Sequence, residues 1–571
     1  MPTLALTNFN IVCTVLGGFI TLLSLVSYLA KEKLFLSEAL ISLVAGIIFS
    51  HSTKLIKPLE FASGSQASLD AITLNFSRNV LGIQLLIAGI QLPSRYLQYE
   101  WKSLTLLLAP GMIGMWTISA ALIYAFVPHL PFLHALAIAA CVTPTDPVLS
   151  NSIVKGKFAD KNIPRDLQKI IIAESGANDG LGYPFLFFAL YLIKYLGPGQ
   201  EGNAGTAIGV WFYETWVYTI LLSVIYGFTV GWIAKELLHW AEERNFVDRE
   251  SFLVFAITLA LFVSGSCGLL GTDDVLACFI AGNAFTWDDW FRIQTEDDSL
   301  QPTIDMLLGI AIFMWYGAVC PWSSFINNDI IPIYRLIPLG ILILLLRRLP
   351  VVFALHSYIH QIEEKQQAIY AGFFGPIGVS AIFYIFTSLE FLQSLETDGI
   401  QRDDVKRLGE TLSIVVWFLA ICSLVVHGLT IPLGKLGFYI PRTLSRALSS
   451  QANAETPPFQ IQDPIRTSTN GGLRERRRRG EPSRRSTPDA APPPPVFRIG
   501  GRLVRDVDAD AITLAERSRP RTPPAAAIDR TLISPDELLP MPSSYVRQAA
   551  SEASHKDIAV SEGTLGVTDI S

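Results

Sequence analysis

Apolar residues run along this chain in blocks of about twenty, separated by short polar connections, as far as residue 432. A helix of that length crosses the ~30 Å hydrocarbon layer of a bilayer. Thirteen blocks are legible: 10–30, 34–50, 70–92, 103–127, 132–154, 167–195, 208–238, 252–270, 274–287, 302–320, 330–349, 367–391 and 408–432. The first is longer than a signal-peptide core and lacks a clear cleavage site, so it reads as a retained span. The short ninth can also be read as re-entrant. Two blocks are interrupted. The fifth contains Thr143-Pro144-Thr145-Asp146-Pro147, where each proline removes a backbone donor and clashes with the preceding turn. The twelfth contains Gly372-Phe373-Phe374-Gly375-Pro376-Ile377-Gly378. Non-helical backbone at membrane depth survives only inside protein or along a wet cavity. Two such breaks, one early and one late, point to a secondary transporter built on inverted repeats.

Composition agrees with the pattern. Of 571 residues, 50% are hydrophobic and 16% charged, which suits an all-α polytopic membrane protein and not a soluble enzyme. Six cysteines, Cys13, Cys141, Cys267, Cys278, Cys320 and Cys422, lie in or beside apolar blocks without metal-like spacing; they read as small buried hydrophobes. Lysines and arginines collect after the first, third, fifth and seventh blocks. Connections after the fourth and tenth carry none. The bias places the N-terminus outside and the tail in the cytosol. Lys54, Lys57, Lys194, Arg402, Lys406 and Arg407 run against it. The chain divides into a membrane domain, 1–433, a juxtamembrane segment, 434–450, and a tail, 451–571. The segment reads either as an interfacial amphipathic helix or as a continuation of the last span. The tail is rich in Pro, Ser, Arg and Ala, the composition of a disordered chain.

Chemistry concentrates in Glu174-Ser175-Gly176-Ala177-Asn178-Asp179-Gly180, inside the sixth block. Two carboxylates in a membrane span default to an ion pathway or proton relay. On a helix Ser175 and Asp179 share one column, Glu174 and Asn178 the next. An exchanger needs one group that binds either a cation or a proton. A carboxyl group does this when its pKa lies near working pH, ~2–3 units above the unperturbed ~3.9, and desolvation is the means. Asp179, Ser175 and the Thr145 hydroxyl offer the oxygen ligands a hard cation such as Na+ prefers. Asp146 stands where a broken helix exposes positive half-helix ends, which a carboxylate balances. Arg347-Arg348 closes the eleventh block, either snorkelling to the interface or reaching inward to Glu174 or to half-helix C-termini. Asp273-Asp274 opens the ninth, either as cap and first-turn acids or as a second acidic station. No phosphate-binding Gly-x-x-x-x-Gly-Lys-Ser/Thr loop is present, and no His-Glu-x-x-His, so no ATP drive, enzyme activity or cofactor is expected.

Thr143-Pro144-Thr145-Asp146-Pro147-Val148 together with Glu174 to Gly180 resembles the monovalent cation–proton antiporters of the first type. The flanks Ser150 to Phe158 and Leu181-Gly182-Tyr183-Pro184-Phe185 resemble more specifically the fungal plasma-membrane Na+(K+)/H+ antiporters. The resemblance covers roughly residues 10–440. It implies about thirteen helices in two inverted repeats, crossed discontinuous helices, elevator-like alternation and a homodimer. It carries the aspartate of the family's Asn-Asp pair onto Asp179 beside Asn178, the helix-break pair onto Thr145 and Asp146, and the coordinating serine onto Ser175. Its Glu–Arg pair falls on Glu174 and Arg348, with Arg347 the alternative, and the acidic doublet on Asp273-Asp274. The partners it implies are alkali-metal cations, protons, the bilayer and a second copy, and no nucleic acid. A cation channel is the alternative, although these acids sit in different spans of one chain beside broken helices, which suits alternating access. An intramembrane aspartyl protease wants a Gly-x-Gly-Asp context that neither Asp146 nor Asp179 has.

Overall fold

The computed structural model describes residues 8–29, 36–147, 149–150, 163–197, 202–395 and 401–451, the last twenty-one by backbone alone, and the strands Phe497–Ile499 and Arg502–Val504. It divides into two units, residues 1–459 and 460–571. The first is a helical bundle. In the second, within the tail, the two strands pair antiparallel, Phe497 opposite Val504; the tail's other residues after Gln451 lie outside the described residues.

Among the described residues each of the thirteen expected blocks contains helix. Among the described residues eight helices are long and apolar enough to cross a membrane: Phe9–Ser27, Gln66–Gln91, Trp101–Phe126, Ala204–Glu243, Arg249–Leu270, Leu300–Val319, Ile333–Tyr358 and Asp403–Thr430. Glu38–Ser52, Phe132–Val142, Asp274–Phe285 and Val379–Gln393 are shorter apolar helices. The sixth, Arg165–Leu196, has 32 residues, about 48 Å, with the polar stretch in its middle. The ninth, Asp274–Phe285, is an ordinary packed helix and not a re-entrant hairpin. The last helix runs unbroken from Asp403 to Gln451.

Local chemistry sets the ends. Ser65, Asn203, Asp248 and Asp273 each cap a helix by accepting a hydrogen bond from the backbone N–H three residues on. Gly271, at φ +70°, takes the left-handed turn that ends the eighth helix. Glycines draw the helices together. A Cβ at Gly46 or Gly317 would strike the backbone of the facing helix, which locks the second helix onto the tenth. Gly89 and Gly282 do the same between the third and ninth, and Gly227 and Gly231 seat the seventh on the ninth. The ninth helix, buried on almost every side, thus becomes the post against which the polar middle of the sixth helix rests. Gly176 faces Phe279 and Gly180 faces Leu276.

Candidate functional site

The fifth helix stops at Val142, and the chain runs non-helically through Thr143–Asp146 before turning helical again at Pro147. The twelfth stops at Phe373 and resumes at Val379. The two breaks cross, joined by the Asp146 N–H donating to the Pro376 carbonyl at 2.9 Å. Each leaves orphan carbonyls on one side and orphan N–H groups on the other. Arg347 meets the carbonyls: one guanidinium nitrogen donates to Val142, to Thr143 at 3.1 Å and to Pro144 at 3.2 Å, and the other to Gly375. Asp146 meets the N–H groups, accepting from Leu149 and from Val379. A cation therefore sits at both negative ends and an anion at both positive ends, the arrangement the half-helix dipoles favour. Gly378 has no side chain because a Cβ there would occupy the Asp146 carboxylate. The last helix completes the frame: Ser423 accepts from the Ile377 N–H at 2.7 Å, and His427 Nε2 pairs with the Phe373 carbonyl at 3.0 Å.

The sixth helix lies across this frame. Glu174 binds Arg348 through both oxygens, at 2.5 and 2.6 Å, and Arg348 Nε donates to the Ala371 carbonyl at 3.0 Å. Interfacial snorkelling of the arginine doublet is thereby corrected. Both guanidiniums are buried, and the eleventh helix turns at them and continues as Leu349–Leu355, past its expected end. Asn178 clasps the broken fifth helix: its Oδ1 accepts from the Thr145 N–H at 3.1 Å and its Nδ2 donates to Thr145 Oγ1 at 2.8 Å. Thr145 Oγ1 lies 3.2 Å from Ser175 Oγ, and Ser150 joins them at 3.4 Å.

Asp179 is fully buried with the Ser380 hydroxyl beside it, and among the described residues no hydrogen bond of ordinary geometry reaches either carboxylate oxygen. Its surroundings are fixed through the backbone. Pro184 lacks the N–H that would bond the Gly180 carbonyl. Tyr384 fills that gap, its hydroxyl donating to the Asp179 and Gly180 carbonyls. Buried polar atoms are almost always paired, and these two carboxylate oxygens are exceptions among the described residues.

The acidic doublet divides. Asp273 caps the ninth helix with one oxygen, on Leu276 N–H at 3.0 Å, and keeps the other buried and unpaired. Asp274 is held by Arg78 at 2.5 Å and by Ser264 at 2.8 Å. Sequence reasoning passed over Arg78, although a lone cation in an apolar block is itself a signal. It also passed over Tyr384, Ser423 and His427; the last two, four residues apart on one helix, form a column whose purpose shows only once the facing break is known.

Residues 19–433 match the family profile of the transmembrane sodium/hydrogen exchanger. A Na(+)/H(+) antiporter of Schizosaccharomyces pombe is 33% identical over 447 residues, 76% of this chain and 92% of its own length. A Na(+)/H(+) antiporter of Saccharomyces cerevisiae is 36% identical, covering 74% of this chain and 43% of its own. The Na(+)/H(+) antiporter 2 of Zygosaccharomyces rouxii is 35% identical, covering 79% and 56%. The chain spans about half the length of several of the curated relatives it matches. In fold it is similar to the sodium proton antiporter MjNhaP1 from Methanocaldococcus jannaschii, with a TM-score of 0.53 at 18% identity over 72% of this chain and 97% of that one. The chain belongs to the transmembrane sodium/hydrogen exchanger family.

Proposed function

We propose that this chain is a secondary antiporter exchanging cytosolic Na+ and Li+, with K+ a further substrate, for external protons across the plasma membrane. That activity serves salt tolerance and pH and cation homeostasis. The idle, buried Asp179 carboxylate at the crossed breaks carries the reading. An ionised carboxylate buried without a partner costs several kcal/mol. The site is stable only when a proton or a cation neutralises it, so loaded forms change sides and the empty form does not. Obligatory exchange follows from that single penalty. Asp179, Ser175 and Thr145 supply the oxygen ligands, and Asn178 positions Thr145.

Neighbouring charges are already balanced: Asp146 and Arg347 by the half-helix ends, Glu174 by Arg348, and Asp274 by Arg78. Asp179 and Asp273 remain without a cationic partner among the described residues, which favours the doublet as a second acidic station through Asp273. The protein works as a homodimer, its N-terminus outside and its tail cytosolic.

The test is exchange in proteoliposomes, with Na+, Li+, K+ and Rb+ compared across pH. Asp179→Asn keeps the shape and removes the titratable group, so it is expected to insert and fold but lose exchange. Proton-coupled sodium flux persisting in that variant refutes the assignment. Cation current without proton counter-transport would instead indicate a channel.

A further inference from the structure

A cavity of about 420 Å3 opens where the third and last helices begin and the twelfth ends. Its walls include Asp70, Ser324, Leu389, Lys406, Glu410 and Ser413, and it shares no wall residue with the cluster around Asp179. On the orientation proposed above its mouth is extracellular. Two carboxylates against one ammonium leave the bowl net negative, which concentrates cations near it.

Helical spacing identifies what lies beneath. Asp70, Thr73 and Ser77 follow one another down one face of the third helix, and Glu410, Ser413 and Trp417 down the last. One turn below the cavity wall, Tyr316 of the tenth helix fills the space between them. Its hydroxyl lies 2.6 Å from Ser77 Oγ, and its ring stands edge-on to Trp417 with centroids 5.5 Å apart. Trp315 anchors the same turn by donating to Thr73 Oγ1 at 3.1 Å. All three of Ser77, Tyr316 and Trp417 are buried. Below them come the crossed breaks: Ser423, further down the last helix from Trp417, holds Ile377. Tyr316 and Ser77 belong to the tenth and third helices, whereas Trp417 belongs to the helix that frames the break. The contact therefore joins the third and tenth helices to the helix that frames the break.

We propose that Tyr316, bonded to Ser77 and packed against Trp417, is the shut gate between this cation-collecting vestibule and the Asp179 site. The assignment rests on the exchange reading. Its test does not require transport: single cysteines are introduced into the full chain in oriented vesicles and exposed from the outer face to a membrane-impermeant thiol reagent. Peptide mass spectrometry then separates them from the native cysteines. Ser413→Cys, above the gate, should label rapidly. Ser380→Cys, beside Asp179, should label slowly in the parent background. Tyr316→Phe removes only the hydroxyl and should speed Ser380→Cys labelling about fivefold, the equilibrium worth of one buried hydrogen bond. Tyr316→Ala, which also removes the aromatic pair, should speed it roughly twentyfold. Should Tyr316→Ala fail to fold, the phenylalanine variant carries the test alone. Equal labelling of Ser380→Cys with and without Tyr316 overturns the gate, and failure of Ser413→Cys to label overturns the vestibule. Gated labelling in a protein that shows no exchange would leave the gate standing and remove the antiport reading; exchange without gated labelling would do the reverse.

Discussion

Replacing Glu174 by glutamine removes one charge from a pair that is bidentate and sealed from water. The Arg348 guanidinium is then left ionised in the bundle with the Ala371 carbonyl as its remaining strong acceptor. Breaking a buried pair from one side costs ~3–5 kcal/mol, mostly the penalty on the stranded charge. With an unfolding entropy of ~2.1 cal/mol/K per residue over roughly 400 residues, that loss lowers the melting midpoint by ~4–6 °C. Arg348→Ala should lose a similar amount. Replacing both by methionine removes both charges together and should recover at least half of the loss, because the desolvation penalty disappears with them. Thermal unfolding of detergent-purified protein, followed by tryptophan emission, measures all three. A Glu174→Gln variant that melts with the parent yet cannot exchange would refute this reasoning and move Glu174 from the scaffold into the ion site.

Three further outcomes follow from the geometry. Arg347→Gln leaves the half-helix carbonyls poorly met, and Asp146→Asn weakens the N-terminal side; each should lower thermal stability by ~1–3 kcal/mol, with Arg347 the more severe because it serves four carbonyls. Arg78→Gln strands Asp274 and should lower the melting midpoint, whereas Arg78→Gln combined with Asp274→Asn should restore most of it; a double variant no better than either single one would contradict the pairing. Gly282→Val drives a side chain into the Leu86 carbonyl at the seam of the third and ninth helices and should abolish folded protein on size-exclusion chromatography, while Gly265→Ala, which meets open space, should behave as the parent.

Much of this fold is written in local patterns. The thirteen blocks show in the sequence because a bilayer demands unbroken apolar length, and both breaks show because prolines and glycines are clustered there within a few residues. Asp179, Asn178, Ser175 and Thr145 were legible as a group because polar residues are rare at that depth. The division of labour between Arg347 and Arg348 was not. Both choices satisfied the same spacing, and only the approach of the two breaks decides which guanidinium meets carbonyls and which meets Glu174. The same holds for Arg78 and Asp274, 196 residues apart, and for Tyr384, which serves carbonyls affected by a proline on another helix. The π-helical stretches Leu107–Gly111 and Trp211–Leu221 also left no distinct mark; Pro110 sits in the first, but nothing comparable announces the second.

On the proposed reading the Asp179 carboxyl group holds either a cation or a proton. Cation-induced proton release tests it most directly: Na+ is added to weakly buffered, purified protein at a series of pH values and the released protons are titrated. Release should saturate with Na+, need about tenfold more Na+ for each pH unit of acidification on the acid limb, and vanish in Asp179→Asn. Undiminished release from Asp179→Asn, or a Na+ requirement indifferent to pH, would contradict that reading.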